Sequence, residues 1–292
     1  MKLEGSFPAM ITPFRRGLLD EEALRAHARR LIAGGSSGLV PCGSTGDAAT
    51  LTPAEYKRVV AVTLEEARGR VPVIAGVGTN ATWRAVETAQ TAAALGADAL
   101  LGLVPYYNKP TQEGLFLHFR ELARSVKLPI VVYNIPSRCG VNLLPATLAR
   151  LAKACPNIAA VKEAAGMVDQ VSEILNACPP GFTVLSGDDS LTLPFMAVGA
   201  KGVISVVANI APKESARLVS AMLAGKLSEA RSIHLKLFPL VKSLFVETNP
   251  IPVKAAAALL GYCSAELRLP LTPITPEGRA KVAKALKAAG LR

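Results

Sequence analysis

The sequence predicts an α/β chain folded as a (β/α)8 TIM barrel with a C-terminal helical extension. Three observations predict it. The chain has 292 residues, long for one sandwich and normal for one such barrel, which takes about 250. Short apolar runs alternate eight times with longer stretches of helical periodicity, the pattern of a parallel sheet with right-handed crossovers. Half of the residues are apolar but only 5% are aromatic, so Ala, Leu and Val do most of the filling. That suits helices packed tightly around a parallel sheet covered on both faces. The competing doubly wound open sheet lacks support: Gly76-x-Gly78 has no third glycine in phase, and no Walker lysine follows a glycine loop.

The elements follow in order. Gly5–Met10 reads as the first strand. Glu21–Ala33 reads as a helix with Asp20 as its N-cap. Gly38–Pro41 is the second strand. Pro53–Arg68 is a helix, with Thr52 as N-cap and Pro53 at the first helical position. Strands Val71–Ala75, Ala97–Leu103, Pro129–Tyr133 and Ile158–Lys162 then alternate with helices Thr82–Leu95, Gln112–Ser125, Pro145–Ala154 and Val168–Ala177. Phe182–Ser186 precedes a short helix, Leu191–Val198, and Gly202–Val206 precedes Pro212–Ala224. The eighth unit ends near Gly225, which sets a barrel domain at 1–225. Residues 226–292 read as an extension with helices at Leu227–Leu244, Ile251–Leu260 and Pro276–Ala289.

Composition narrows the function classes. No apolar run reaches the roughly 18 residues of a membrane span, and the N-terminus, with an early Glu4 and no long apolar stretch, does not read as a signal peptide. Five cysteines form no CxxC pair, which fits reduced thiols and a cytoplasmic location. The net charge of +11 raises the question of nucleic acid. However, residues 226–292 hold eleven Lys/Arg against four Asp/Glu, spaced like a solvated helix face, with no aromatic-basic stretch. We therefore expect neither a nucleic-acid nor a membrane partner. The charge mildly favours anionic substrates.

Barrels of this kind carry their chemistry at the C-terminal ends of the strands. The second strand leads into Gly43-Ser44-Thr45-Gly46-Asp47, where two glycines let backbone N–H groups converge beside two hydroxyls. That arrangement can hold a carboxylate and pass a proton, although an ordinary turn has the same residues. The fourth strand leads into Pro105-Tyr106-Tyr107-Asn108, and two of only five tyrosines stand together there. They read equally as packing aromatics or as a proton relay. In the fifth strand, alternation puts Val131 and Tyr133 on one face, so Tyr133 points into the barrel mouth. Arg138 follows, either as a surface cation or as a two-pronged carboxylate grip. In the sixth strand, Ile158, Ala160 and Lys162 share a face. A lysine on the inner face is unusual; desolvation lowers its pKa, and a neutral amine attacks ketones. A register one residue off would turn it outward. Ser186-Gly187-Asp188-Asp189 ends the seventh strand, and its carboxylates read as caps for the next helix. His27, His118 and His234 fall in helices as surface or partly buried residues, and no cluster has metal-ligand spacing.

Several long motifs in order carry a resemblance: GSTGDAATL from Gly43, PYYNKPTQEG from Pro105, YNIPSRCG from Tyr133, VKEAAG from Val161, LSGDDS from Leu185, GVISVVANI from Gly202 and ETNPIPVKAA from Glu247. Nearly the whole chain resembles the 4-hydroxy-tetrahydrodipicolinate synthase (dihydrodipicolinate synthase) family, within the N-acetylneuraminate lyase superfamily of pyruvate aldolases. The resemblance implies a lyase that condenses pyruvate with L-aspartate 4-semialdehyde in diaminopimelate and lysine biosynthesis. It implies a Schiff base on Lys162, Tyr133 as general acid/base, and a relay of Tyr133, Ser44 and Tyr107, the last reaching across a dimer interface. Thr45, the Ile204 backbone and Gly187 are expected at the pyruvate end, and Arg138 at the aldehyde's carboxylate. No metal or organic cofactor is implied, because the iminium formed on the lysine is the electron sink. A homo-oligomer is implied, at least a dimer, with a tetramer as the family habit.

Two departures stand out. Ser44 replaces the family's usual first threonine and keeps its hydroxyl. At the family's lysine-feedback site Asn80 and Tyr106 match, but Tyr56 stands for a histidine and Arg84 for a glutamate. That predicts weak or absent inhibition by lysine. The alternatives are a sister pyruvate aldolase, of the N-acetylneuraminate lyase or keto-deoxy sugar acid type, and a barrel that only binds a keto acid.

Overall fold

A computed structural model describes residues 2–291. Its strands are β1 (Gly5–Pro8), β2 (Phe14–Arg15), β3 (Leu18–Leu19), β4 (Ile74–Gly76), β5 (Ala99–Leu103), β6 (Ile130–Asn134), β7 (Ile158–Glu163), β8 (Thr183–Ser186) and β9 (Gly202–Ser205). Its helices are α1 (Glu21–Ala33), α2 (Pro53–Ala67), α3 (Thr82–Leu95), α4 (Gln112–Ser125), α5 (Pro136–Cys139), α6 (Pro145–Ala154), α7 (Val168–Ala177), α8 (Thr192–Ala197), α9 (Pro212–Leu223), α10 (Leu227–Ser243), α11 (Ile251–Leu259) and α12 (Pro276–Ala288).

Seven parallel strands run in the order β1-β9-β8-β7-β6-β5-β4. The eighth stave differs from the expected strand Gly38–Pro41. Only Leu39 and Val40 pair, as single bridges to Val73 and Ala9. Gly38 packs under Phe7, where a Cβ would come within 2.7 Å of the ring. Pro41 has no N–H to donate, and Cys42 already turns away at φ 56°. The stave still closes the ring. Val40 N donates to Pro8 O at 3.0 Å and Ile74 N to Leu39 O at 2.8 Å. Strand β4 starts later than expected for a similar reason: Pro72 cannot donate, and Val73 N turns to Asp98 Oδ2 at 2.8 Å.

The helices begin where the capping residues place them. Asp20 accepts from Ala23 N, and Thr52 with Glu55 forms a reciprocal capping box ahead of Pro53. The hairpin β2–β3 was not expected. Arg16 and Gly17 both take positive φ at its turn, the combination that lets a two-residue loop match strand twist.

Two shells of core follow from strand alternation. Phe7, Val40, Ile74, Leu101, Val131, Ala160, Leu185 and Ile204 fill the barrel interior. The opposite strand faces, including Leu100, Val132, Val161 and Val184, pack on the surrounding helices. Helices α10–α12 share a third cluster with Ile11, Val206, Val207 and Ile210 at the mouth of the barrel. The last helices are therefore fastened to the end where strand-end chemistry sits. Among the described residues no helix is long and apolar enough to cross a membrane, and all five cysteines are unpaired.

The histidines correct an expectation. His27 and His118 are buried rather than at the surface. His27 Nε2 meets Asn209 Oδ1 at 2.8 Å, and burial beside Arg30 holds its pKa down to about 3. His118 Nδ1 meets Thr82 Oγ1 at 2.9 Å. Both are helix residues whose rings replace apolar core, so periodicity alone does not mark them.

Candidate active site

Strands β6 and β7 pair in parallel with Tyr133 opposite Lys162. Both side chains point inward, as alternation requires, because Val131 and Ala160, two residues earlier, belong to the barrel interior. Lys162 is 4% exposed, and its Nζ lies 3.9 Å from the centre of the Tyr133 ring. Burial lowers the Lys162 pKa from 10.5 to about 7; the charge of Arg138 acts the same way, and Asp189 and Asp188 oppose it. A large share of this amine is thus neutral at neutral pH. Burial pushes the Tyr133 phenol up, while Arg138 and a hydrogen bond with Ser44 pull it down. At rest Tyr133 is a protonated phenol, an acid in place.

Gly187, just past β8, has to be glycine. A Cβ there would stand 2.7 Å from Ala164 Cβ and 3.2 Å from Lys162 Cε. The space over the lysine is thereby kept open for a small ligand. Ile204 is fully buried on β9 and pairs with Phe7.

Ser44 and Thr45 sit on a single 3-10 turn, Ser44–Gly46, after the short second stave. Three contacts fix it. Thr12 Oγ1 donates to Gly46 O at 2.7 Å, and Asn249 Nδ2 donates to Thr45 Oγ1 at 2.9 Å. The third is a buried ion pair, Lys254 Nζ to Asp47 Oδ2 at 3.0 Å, with side-chain exposures of 0% and 1%. Asp47 closes the turn in the left-handed region at φ 55°.

Arg138 is exposed on α5, at the rim, where its Nη2 donates to Asn249 O at 2.9 Å. Tyr107 is not brought to the group within this chain. It is 87% exposed at φ 73°, next to Tyr106. Of the other expected residues, Tyr133 lies on Lys162, Ser44 and Arg138 act on Tyr133, Gly187 lies over the lysine, Ile204 shares the barrel-interior cluster with Tyr133, and Thr45 follows Ser44 on the same turn. Chemically this is a well at the barrel mouth that offers one depressed amine, one phenol, two hydroxyls and a guanidinium at its lip.

The comparisons with known proteins bear on what that well is for. The family model described as "Dihydrodipicolinate synthetase family" matches residues 2–289. The chain belongs to the dihydrodipicolinate synthetase family. The 4-hydroxy-tetrahydrodipicolinate synthase of Geotalea uraniireducens (strain Rf4) is 52% identical over 288 residues, covering 99% of each chain. Among solved structures, a dihydrodipicolinate synthase from Aquifex aeolicus superposes with a TM-score of 0.97 at 48% identity, covering 99% of each chain. A 4-hydroxy-tetrahydrodipicolinate synthase from Methylacidiphilum fumariolicum SolV superposes at 0.98 with 44% identity, covering 99% of this chain and 96% of that one. The barrel, its helical C-terminal portion and the lyase class are those of this family.

Against the family frame, sequence reasoning misjudged one carboxylate and missed two residues. Asp188 caps the next turn as expected, accepting from Ser190 N at 3.0 Å. Asp189 does not. It is buried and accepts from Ser205 Oγ at 2.6 Å, Val206 N at 2.9 Å and Val207 N at 2.8 Å. It clamps the end of the Ile204 strand and places a negative charge that Lys162 feels. The missed residues, Asn249 and Lys254, lie in the ETNPIPVKAA stretch. That motif was visible, but nothing local says that it reaches back about two hundred residues.

Proposed function

We propose that this chain condenses pyruvate with L-aspartate 4-semialdehyde, through an imine on Lys162, to give 4-hydroxy-tetrahydrodipicolinate in diaminopimelate and lysine biosynthesis. The observation that carries the mechanism is the buried amine of Lys162 set 3.9 Å from the Tyr133 ring. Burial keeps much of it unprotonated, so it attacks the pyruvate ketone, and water leaves as the imine forms. Thr45 and neighbouring backbone N–H groups receive the pyruvate carboxylate, with Ile204 and Gly187 shaping the floor. The iminium draws electrons from the methyl group; Tyr133 hands its phenolic proton on through Ser44, and its oxygen then takes a proton from the methyl carbon, whose C–H electrons become the enamine double bond. The enamine carbon attacks the aldehyde of the second substrate, whose carboxylate Arg138 holds. The substrate's own amine then displaces Lys162 and closes the ring, returning the free lysine. The lysine supplies the electrophilic catalysis, so no step calls on a metal or organic cofactor.

The relay is completed by Tyr107 of a second copy. Its 87% exposure, next to the exposed Tyr106, supports a homodimer, and a tetramer of two such dimers is the assembly we assign. Unpaired cysteines fit a reducing compartment, and we assign the cytoplasm.

The test is pyruvate consumption with aspartate 4-semialdehyde beside a panel of sugar-derived aldehydes. Turnover with the semialdehyde alone is expected. Turnover only with another aldehyde would move the protein to a sister aldolase. Borohydride with pyruvate should modify Lys162 and stop turnover; no adduct would leave a barrel that merely binds a keto acid.

A further inference from the structure

Directly behind Tyr133 and Lys162 stand Asn134 and Glu163, paired across the same two strands but facing the opposite way. Both are fully buried. Among the described residues no cation pairs with the Glu163 carboxylate. Oε1 accepts from Asn134 Nδ2 at 3.2 Å and from Ala165 N at 2.7 Å. Oε2 accepts from the same Asn134 Nδ2 at 3.1 Å and from Gln170 Nε2 at 3.0 Å. An acceptor-only hub ringed by neutral donors is costly to build in a core unless every member is satisfied.

Asn134 faces a loop as well as the hub. Its Nδ2 donates to Asn142 Oδ1 at 2.7 Å, and its Oδ1 accepts from Leu143 N at 3.0 Å. Asn134 begins the segment that carries α5 and Arg138, and residues 142 and 143 end it. One side chain therefore ties the loop's departure to its return. Asn142 is held from the far side, its Nδ2 donating to Gln170 Oε1 at 2.8 Å. Its carbonyl accepts from Gln112 Nε2 at 2.8 Å. Helices α4 and α7 thus brace the same loop.

We infer that the hydrogen-bonded cluster Asn134–Asn142–Glu163–Gln170 positions Arg138, setting the affinity for the carboxylated aldehyde without taking part in pyruvate activation. This rests on the reading of Arg138 as the aldehyde's carboxylate grip. A guanidinium on a one-turn helix at the rim has few contacts of its own to hold it. Its placement depends on the closure of the loop, and misplacement of a binding group by about an ångström is enough to cost up to about a hundredfold. Glutamine at 163 would point an N–H at Asn134 or Gln170, setting donor against donor and loosening the hub that holds Asn134. Serine at 142 removes the link at the loop's own end, where the side chain is only half-buried.

The experiment uses the full-length Asn142→Ser variant, with Glu163→Gln as the second, beside the wild type. Two readings are taken: KM for the carboxylated aldehyde that the wild type turns over, and exchange of the pyruvate methyl protons with deuterium when pyruvate is the only substrate. The expected result is an aldehyde KM raised roughly tenfold, with methyl exchange per trapped imine within about threefold of wild type. Unchanged aldehyde KM in both variants would overturn the inference. So would a collapse of methyl exchange, which would make the cluster a support for Lys162 and Tyr133 instead. Failure of the wild type with aspartate 4-semialdehyde is a different outcome: it overturns the assigned substrate, and the KM comparison is then read on the accepted aldehyde.

Discussion

Replacing Lys162 by methionine should abolish turnover and stabilise the protein, by an amount that depends on pH in a defined way. The side chain is 4% exposed, and its amine titrates near 7 instead of 10.5. At about 1.4 kcal/mol for each tenfold change in proton affinity, that displacement is about 5 kcal/mol. The direction follows from proton counting. Between pH 7 and 10.5 the unfolded chain holds this proton more firmly than the folded one, so wild-type stability rises with pH across that window. The destabilisation due to the lysine is complete below pH 7, about 4 kcal/mol at pH 7 where half the amine is neutral, and gone above 10.5.

Methionine fills the same channel and places its sulfur against the Tyr133 ring, so the variant should recover most of that difference. For 292 residues, at about 2 cal/mol/K of unfolding entropy per residue, 4 kcal/mol corresponds to a rise in Tm of roughly 7 °C. Thermal unfolding of both proteins at about pH 6.5, 8 and 10, which spans the window, should show the gap closing as pH rises. A gap that stays constant, or a wild type more stable at neutral pH, would refute the desolvated-amine account whatever the activity data say.

Three further outcomes are expected. Tyr133→Phe should still trap pyruvate on Lys162 with borohydride, while turnover falls by about a hundredfold or more, as for loss of a general acid/base; loss of trapping would place the tyrosine in imine formation alone. Asp47→Ala should cost about 3–5 kcal/mol by stranding the Lys254 ammonium, read as a lowered denaturant midpoint, and adding Lys254→Met should restore most of it; no recovery would mean that the pair is not the unit that matters. Lysine should inhibit weakly or not at all on the expectation that Arg84 and Tyr56 stand at the positions of the family's lysine-feedback site, where Arg84 would set a positive charge against the ligand's ammonium; the Tyr56 hydroxyl is buried with no hydrogen-bond partner among the described residues, and strong inhibition at sub-millimolar lysine would contradict this.

What the chain discloses in one dimension depends on how far its forces reach. Strands and helices are set by local periodicity and caps, so Asp20, Thr52 and Pro53 mark helix starts directly, and strand parity alone turns Lys162 and Tyr133 into the same well. Where a backbone donor is missing or a neighbour crowds, locality fails: Pro41 and Pro72 shorten strands that composition prolongs. The candidate site shows the same division more sharply. Its reacting groups sit at strand ends and are legible there, whereas the groups that hold them are not. Asn249 reaches Thr45 across 204 positions and Lys254 reaches Asp47 across 207, and no spacing rule joins such pairs. Nor does a single sequence distinguish Asp188, which caps its own turn, from Asp189, which clamps the end of the next strand. Tyr107 marks the far limit, since it is 87% exposed and nothing within the chain brings it to the group. The pairing of Lys162 with Tyr133 is a property of strands, whereas the contacts that hold the turn beside them are a property of the closed fold.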